Sequence, residues 1–174
     1  MRKGITPATV LASDLAIAEG IAEKRAARGS KRNAIGREAC GEMVVLHFIG
    51  SPLQLEDSFD RLGGDPGIDG RLPDGRTYDV RTVKRTGPPA GPAAGLDVFE
   101  DALEAGLADL FIFVEELPSG QFDVLGYVHR DDVPDLVGPP RDIPGHPGRA
   151  GRRITRAMLH PAAHLAAGKY RGGE

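Results

Sequence analysis

An α/β protein, with a small mixed central sheet flanked by helices, is predicted by the order in which patterned segments follow one another along this chain. A helix-like segment over 34–48 precedes a tight two-armed segment over 68–84, and a second helix-like stretch over 97–107 leads into two strand-like runs, 108–115 and 121–128. The strongest turn signal is Asp74-Gly75, between arms 68–72 and 76–84, because glycine accepts positive φ at no steric cost. Ala108-Asp-Leu-Phe-Ile-Phe-Val-Glu115 is too continuously apolar for a half-exposed strand and reads as a buried one.

Taken in order, residues 8–28 are rich in Ala, Glu, Lys and Arg, with Leu11, Leu15, Ala18, Ile21 and Ala22 near helical spacing. Thr9 or Ser13 supplies a cap and Gly29-Ser30 a stop, so 1–33 is expected to be a helical N-terminal extension. The 34–48 helix carries Met43, Val44, Val45, Leu46 and Phe48; its β-branched later half leaves a strand as the competing reading. Residues 51–67 are turn-rich, and Thr86 to Gly95 is a Pro/Gly loop that excludes regular structure. Asp97 to Leu107 reads as a short amphipathic helix, and Leu117-Pro-Ser-Gly120 turns the chain between the last two strands. Residues 130–151 are dominated by Pro, Gly, Asp and Arg and read as extended or loosely ordered, with a last short helix from Met158 to Ala167. The expected organisation is therefore a core over 34–132 between the extension 1–33 and a basic, Pro/Gly-rich C-terminal extension over 133–174.

The 174 residues, 40% hydrophobic and 27% charged, suit one globular domain with a real core. No run of about eighteen apolar residues exists, so no membrane span is expected, and acids at 14, 19 and 23 make the N-terminus a poor signal peptide. A single cysteine, Cys40, excludes an internal disulfide and a Cys-based zinc site, and points to a reducing cytoplasm. The net charge of −3 hides an asymmetry: residues 1–37 hold eight Lys and Arg against three acids, 141–174 hold seven against two, and 38–140 hold seven against twenty. Basic ends around an acidic centre suit a polyanion gripped at its flanks, with a metal site in the middle.

The chemistry concentrates in the two-armed segment. A hairpin turning at Asp74-Gly75 pairs an arm carrying Asp69 with an arm carrying Asp79, which can bring both carboxylates to one hard cation. Side chains alternate along a strand, so Asp79 and Arg81 share a face and Lys84 lies on the other. Phosphodiester hydrolysis needs charge neutralisation and an activated water, which two carboxylates holding Mg²⁺ (or Mn²⁺) supply. Arg81 does not deprotonate, but it binds a phosphate through two parallel hydrogen bonds.

Asp69, about ten residues, then Asp79-Val-Arg81 resembles the active-site hairpin of the PD-(D/E)XK nuclease superfamily, with Arg81 where the family usually carries lysine. The segment ordering over 34–132 is similar to that family's restriction-endonuclease-like core, and Asp123 to Asp132 is similar to a segment that follows the core in many small phage and bacterial nucleases. The resemblance implies metal ligation by Asp69, Asp79 and the carbonyl of Val80, and a helical glutamate, Glu38 or Glu42. Gly41-Glu42 before Met-Val-Val-Leu matches the family pattern better. It implies a Mg²⁺-dependent DNA endonuclease or resolvase-like phosphodiesterase, or alternatively a catalytically silent copy that binds DNA or a protein partner. Expected DNA contacts are Lys31, Arg32, Arg37, Lys84, Arg85, Arg152, Arg153 and Arg156, and cutting both strands would favour a homodimer.

Other constellations are weaker. His160 and His164 stand four apart, a zinc spacing on a helix, but with no acid between them; His146 is nearby in sequence. His47 sits among apolar residues and reads as a core histidine. Gly63-Gly-Asp-Pro-Gly67 lacks the pattern of a nucleotide-binding loop, and no Ser-centred nucleophile elbow occurs.

Overall fold

A computed structural model describes residues 32–49, 68–85, 95–143 and 146–166. The helix expected over 8–28, the turn-rich stretch 51–67 and most of the 86–95 loop lie outside the described residues. Helix α1 spans Arg32–Ile49, and in its later half Ala39, Cys40, Met43, Val44 and Val45 are all buried. Packing on nearly every side outweighs the weak helix propensity of the Val pair, so the competing strand does not form.

The hairpin forms about Asp74-Gly75. Strand β1 (Gly70–Arg71) pairs antiparallel with β2 (Thr77–Lys84). Gly75 has φ +93°, and its N–H donates to Leu72 O at 2.9 Å. Strand β2 then pairs in parallel with β4 (Leu110–Glu116), which pairs antiparallel with β5 (Phe122–His129), so the mixed sheet runs β1-β2-β4-β5. Between Phe113 and Val114 the β4–β5 register shifts, leaving Leu125 as the extra residue beside Gly126, whose φ is +146°.

The crossover from β2 to β4 corrects the helix expected from Asp97 to Leu107. Gly95–Phe99 is strand β3, and helix α2 is confined to Glu100–Ala105, closed by Gly106 at φ +64°. Leu96 and Val98 alternate inward with period two and pair with a strand that only the tertiary fold supplies. That partner is β7 (Ala150–Thr155), flanked in turn by β6 (Arg141–Asp142), giving a second, antiparallel sheet ordered β3-β7-β6. The stretch 130–151, expected to be loosely ordered, holds a 3-10 turn at Arg130–Asp132, helix α3 at Val133–Leu136, strand β6 and the start of β7. The helix expected from Met158 to Ala167 is instead a 3-10 turn, Arg156–Met158, and a short helix α4, Ala163–Ala166. Between them His160 forms an isolated bridge to Tyr127, and Pro161 has no N–H to continue a helical ladder.

Alternation along β2 and β4 divides the interior in two. Tyr78, Val80, Leu110, Ile112 and Val114 pack with α1 on one face of the mixed sheet. Phe111 and Phe113 pack on the other with Leu96, Val98 and Ile154 of the second sheet. Each such large side chain, fully buried, contributes roughly 1.5–3 kcal/mol of transfer free energy. Among the described residues no helix is long and apolar enough to cross a membrane.

Gly41 marks the closest approach of α1 to β2. A Cβ there would collide with Thr82 Oγ1 and lie 3.1 Å from Thr82 Cβ. Gly41→Ala should cost ~1–3 kcal/mol in denaturant unfolding, and the loss in Gly41→Ala/Thr82→Ala should be smaller than the sum of the two single losses.

A cluster of rings closes the β5 edge: Tyr127 stacks on His160 at 5.1 Å, and His129 meets both edge-on at 5.5 and 5.3 Å. Burial lowers the His129 pKa below its ordinary value of 6.5, with His160 and Arg76 adding to the effect and Asp132 and Asp131 opposing it. The unfolded chain therefore binds this proton more tightly than the folded one. The contribution to stability is full above about pH 6.5 and is lost as pH falls below that value. Melting temperature should drop between pH 7 and pH 5 less steeply in His129→Gln than in the wild type.

Candidate active site

The site forms where the pairing of β1 with β2 ends at Gly70, beside Asp69 and the Tyr78–Val80 stretch of β2. Tyr78 O accepts the Asp69 N–H at 2.8 Å, and Val80 N–H donates to Asp69 Oδ2 at 2.6 Å. Backbone groups of alternate strand residues point to alternate neighbours, so the carbonyl of Val80 faces this same edge rather than β4. Asp69 is thus held against β2 although its arm contributes only a two-residue strand.

Asp69, Asp79 and Glu42 are 6%, 5% and 4% exposed, and all three line one cleft of about 590 Å³ together with Val80, Arg81 and the exposed Glu38. Glu42 reaches it from α1. Burial, with the Asp69 and Glu42 carboxylates adding to it, pushes the Tyr78 hydroxyl above its ordinary range. The Asp69 and Glu42 carboxylates therefore both act on the Tyr78 hydroxyl from the α1 side of β2.

On the other face of β2, Arg81 forms an ion pair with Asp79 through Nη2 and Oδ2, so the two share a face as alternation requires. Its guanidinium also lies 5.5 Å from the ring centre of Phe99 and 6.0 Å from that of Phe111. Arg81 Nε is buried and has no hydrogen-bond acceptor among the described residues.

Carboxylate and carbonyl oxygens are the donors that Mg²⁺ and Mn²⁺ take, so the chemistry of this set fits a hard divalent cation. As the side chains stand, no three His, Cys, Asp or Glu among the described residues form a ready coordination group, and Asp79 is engaged by Arg81.

The expected DNA-contacting arginines are largely committed to carboxylates. Arg37 pairs with Glu116 at 2.8 Å, Arg85 with the buried Glu115, and Arg156 with Asp123 at 3.5 Å. Arg152 holds Glu100 through two bonds of 3.1 Å, and Arg153 holds Asp97 through bonds of 2.8 and 3.0 Å. Lys84 is exposed. Lys31 and the side chains of Arg32 and His47 lie outside the described residues. His160 sits in the bridge to Tyr127 rather than on a helix, so it and His164 do not form the helical pair their spacing suggests. Cys40 is a buried free thiol.

The far wall of the cleft escaped the sequence reading. Asp97 and Phe99 of β3, Asp101 of α2, and Ile143, His146 and Arg149 between β6 and β7 line the same cleft as the hairpin carboxylates. The available signal was the apolar–polar–apolar alternation of Leu96, Asp97 and Val98, which a helical reading of 97–107 hides. Compared with protein-family models and with curated proteins, the chain matches none.

The ion pairs make one outcome specific. Asp97 and Arg153 stand directly opposite across β3 and β7, so Arg153→Glu replaces a bidentate pair with facing like charges and should cost on the order of 1–2 kcal/mol in unfolding free energy. Lys84→Glu, at an exposed position, should change stability by no more than ~0.5 kcal/mol in the same assay.

Proposed function

We propose that this protein is a metal-dependent DNA endonuclease or resolvase-like phosphodiesterase with a restriction-endonuclease-like core. The observation that carries the reading is that Glu42, Asp69, Asp79 and Arg81 line one cleft beside β2. The order of elements supports it: α1, the β1–β2 hairpin, a crossover containing a helix, and β4 parallel to β2 follow the sequence of the PD-(D/E)XK core.

In this reading Asp69, Asp79 and the Val80 carbonyl hold Mg²⁺ or Mn²⁺, with Glu42 assisting. Such an ion, when bound, neutralises charge at the phosphate and lowers the pKa of a coordinated water. The chain's own residues do the rest. The Val80 N–H orients the Asp69 carboxylate, and Arg81 turns its guanidinium from Asp79 to a phosphate oxygen, for which its Nε–H lacks a competing acceptor among the described residues. Arg81 stabilises developing negative charge and transfers no proton, because a guanidinium does not deprotonate in this range. The substrate is DNA, and a homodimer would present two such clefts to two strands.

A second reading has its own support. The ion pair between Arg81 and Asp79 gives the carboxylate a built-in cation at the position where the family usually carries lysine. A silent copy of the fold, binding DNA or a protein partner, would keep that arrangement.

Incubation with supercoiled, linear and branched DNA in Mg²⁺, Mn²⁺ or EDTA separates the two. For the enzyme, cleavage should require metal, and Asp79→Ala should abolish it while DNA binding persists. Arg81→Ala should slow it on the order of 10²-fold or more, and Arg81→Lys should retain or raise the rate. Cleavage gained only on Arg81→Lys identifies the silent copy. Absence of cleavage in both proteins, with no effect of either metal on melting temperature or DNA affinity, refutes the phosphodiesterase.

A further inference from the structure

The far wall of the cleft carries a second cationic arm. Phe99, at the end of β3, is 8% exposed, and its ring supports the Arg149 guanidinium 3.8 Å above its centre, with His146 edge-on at 5.0 Å. The backbone of this turn is tied down: Arg149 N–H donates to His146 O at 3.1 Å, and Arg149 O accepts the Ile143 N–H at 3.2 Å. An aromatic platform and an anchored backbone hold a guanidinium in one orientation at low entropic cost. The only ion-pair partner recorded for Arg149 among the described residues is Asp101, whose Oδ2 receives both Nε and Nη2, at 3.1 and 2.6 Å.

This pair is more exposed than the arginine pairs that hold the second sheet and the end of β2. Arg152 and Arg85 are 16% and 14% exposed at the side chain and hold carboxylates of 21% and 5% exposure, whereas Arg149 and Asp101 are 44% and 61% exposed. An exposed pair of this kind adds little to stability and exchanges readily. It also sits in a cleft whose remaining lining is strongly acidic, including Glu42, Asp69, Asp79 and Asp97. A polyanion entering there needs a cation on the wall away from β2, and the basic groups that line that wall are Arg149 and His146.

We infer that Arg149 binds a backbone phosphate of the DNA strand in the cleft, and that Asp101 is a carboxylate placeholder which the phosphate displaces. This rests on the DNA phosphodiesterase reading above and adds a binding residue to it. It makes opposite predictions for the two partners of one ion pair, whereas a purely structural pair would respond alike to the loss of either.

The test is the affinity of the full-length protein for labelled duplex DNA, by anisotropy in EDTA over a range of salt concentrations, with melting temperature measured alongside. Arg149→Ala should weaken binding about tenfold and lower the log–log salt slope by about one, with Arg149→Lys intermediate. Asp101→Asn should tighten binding. None of the three should shift melting temperature appreciably. If wild type binds DNA but Arg149→Ala and Asp101→Asn leave affinity unchanged, or both weaken it together with stability, Arg149 is a structural residue; the inference falls while the DNA reading stands. If wild type does not bind DNA even at low salt, both fall together.

Discussion

Parallel pairing of Thr77–Lys84 with Leu110–Glu116 is the constraint on which the rest of this structure hangs. Two parallel neighbours cannot be joined by a turn, so the chain between them must leave the sheet and return. The start of the pair is clamped from both sides: Thr77 N–H donates to Asp109 Oδ2 at 2.8 Å, and Asp109 N–H donates to Thr77 O at 2.9 Å. The returning segment contains β3, and β3 recruits β7 and β6 into a second sheet that covers the face opposite α1. One pairing therefore buries both faces of the central strands. The described pairing of β1 with β2 ends at Gly70, next to Asp69 and the cleft that it lines.

Charge compensation is the second theme, and it separates the arginines into two groups. Arg85 and Arg152 hold poorly exposed carboxylates, and Arg153 joins two strands of the second sheet. Asp97 raises the Arg153 pKa still further by hydrogen bonding, and Glu115 does the same for Arg85. Removing one member of such a pair leaves the other partly desolvated and unpaired, a cost that grows with burial. Arg81 and Arg149, by contrast, line the cleft and lean on the ring of the same Phe99. A basic composition at the chain ends suggested nucleic-acid contacts spread over both flanks. The fold instead assigns Arg37, Arg85, Arg152, Arg153 and Arg156 to carboxylates, which makes internal counter-ions of them.

Local patterns in the sequence were sufficient wherever a residue's neighbours in space were also its neighbours along the chain. The Asp74-Gly75 turn and the shared face of Asp79 and Arg81 are written in turn chemistry and a period of 2, and the strand Leu110–Glu116 in a continuously apolar run, whereas the helix ahead of the hairpin competed with a strand until packing decided it. Asp69, Asp79 and Glu42 all line one cleft, but Asp79 lies on the face of β2 away from α1 and no three of the described acids form a ready coordination group. Three-dimensional packing had to decide the rest. Leu96-Asp-Val-Phe99 is a strand because residues 151–154 lie against it, more than fifty positions away, and no local propensity encodes a partner at that distance. The same long-range pairing turned basic residues of the C-terminal region into internal counter-ions. It also brought Phe99, His146 and Arg149 to the cleft, since an acid and an arginine look alike in sequence whether they face solvent, a substrate or each other.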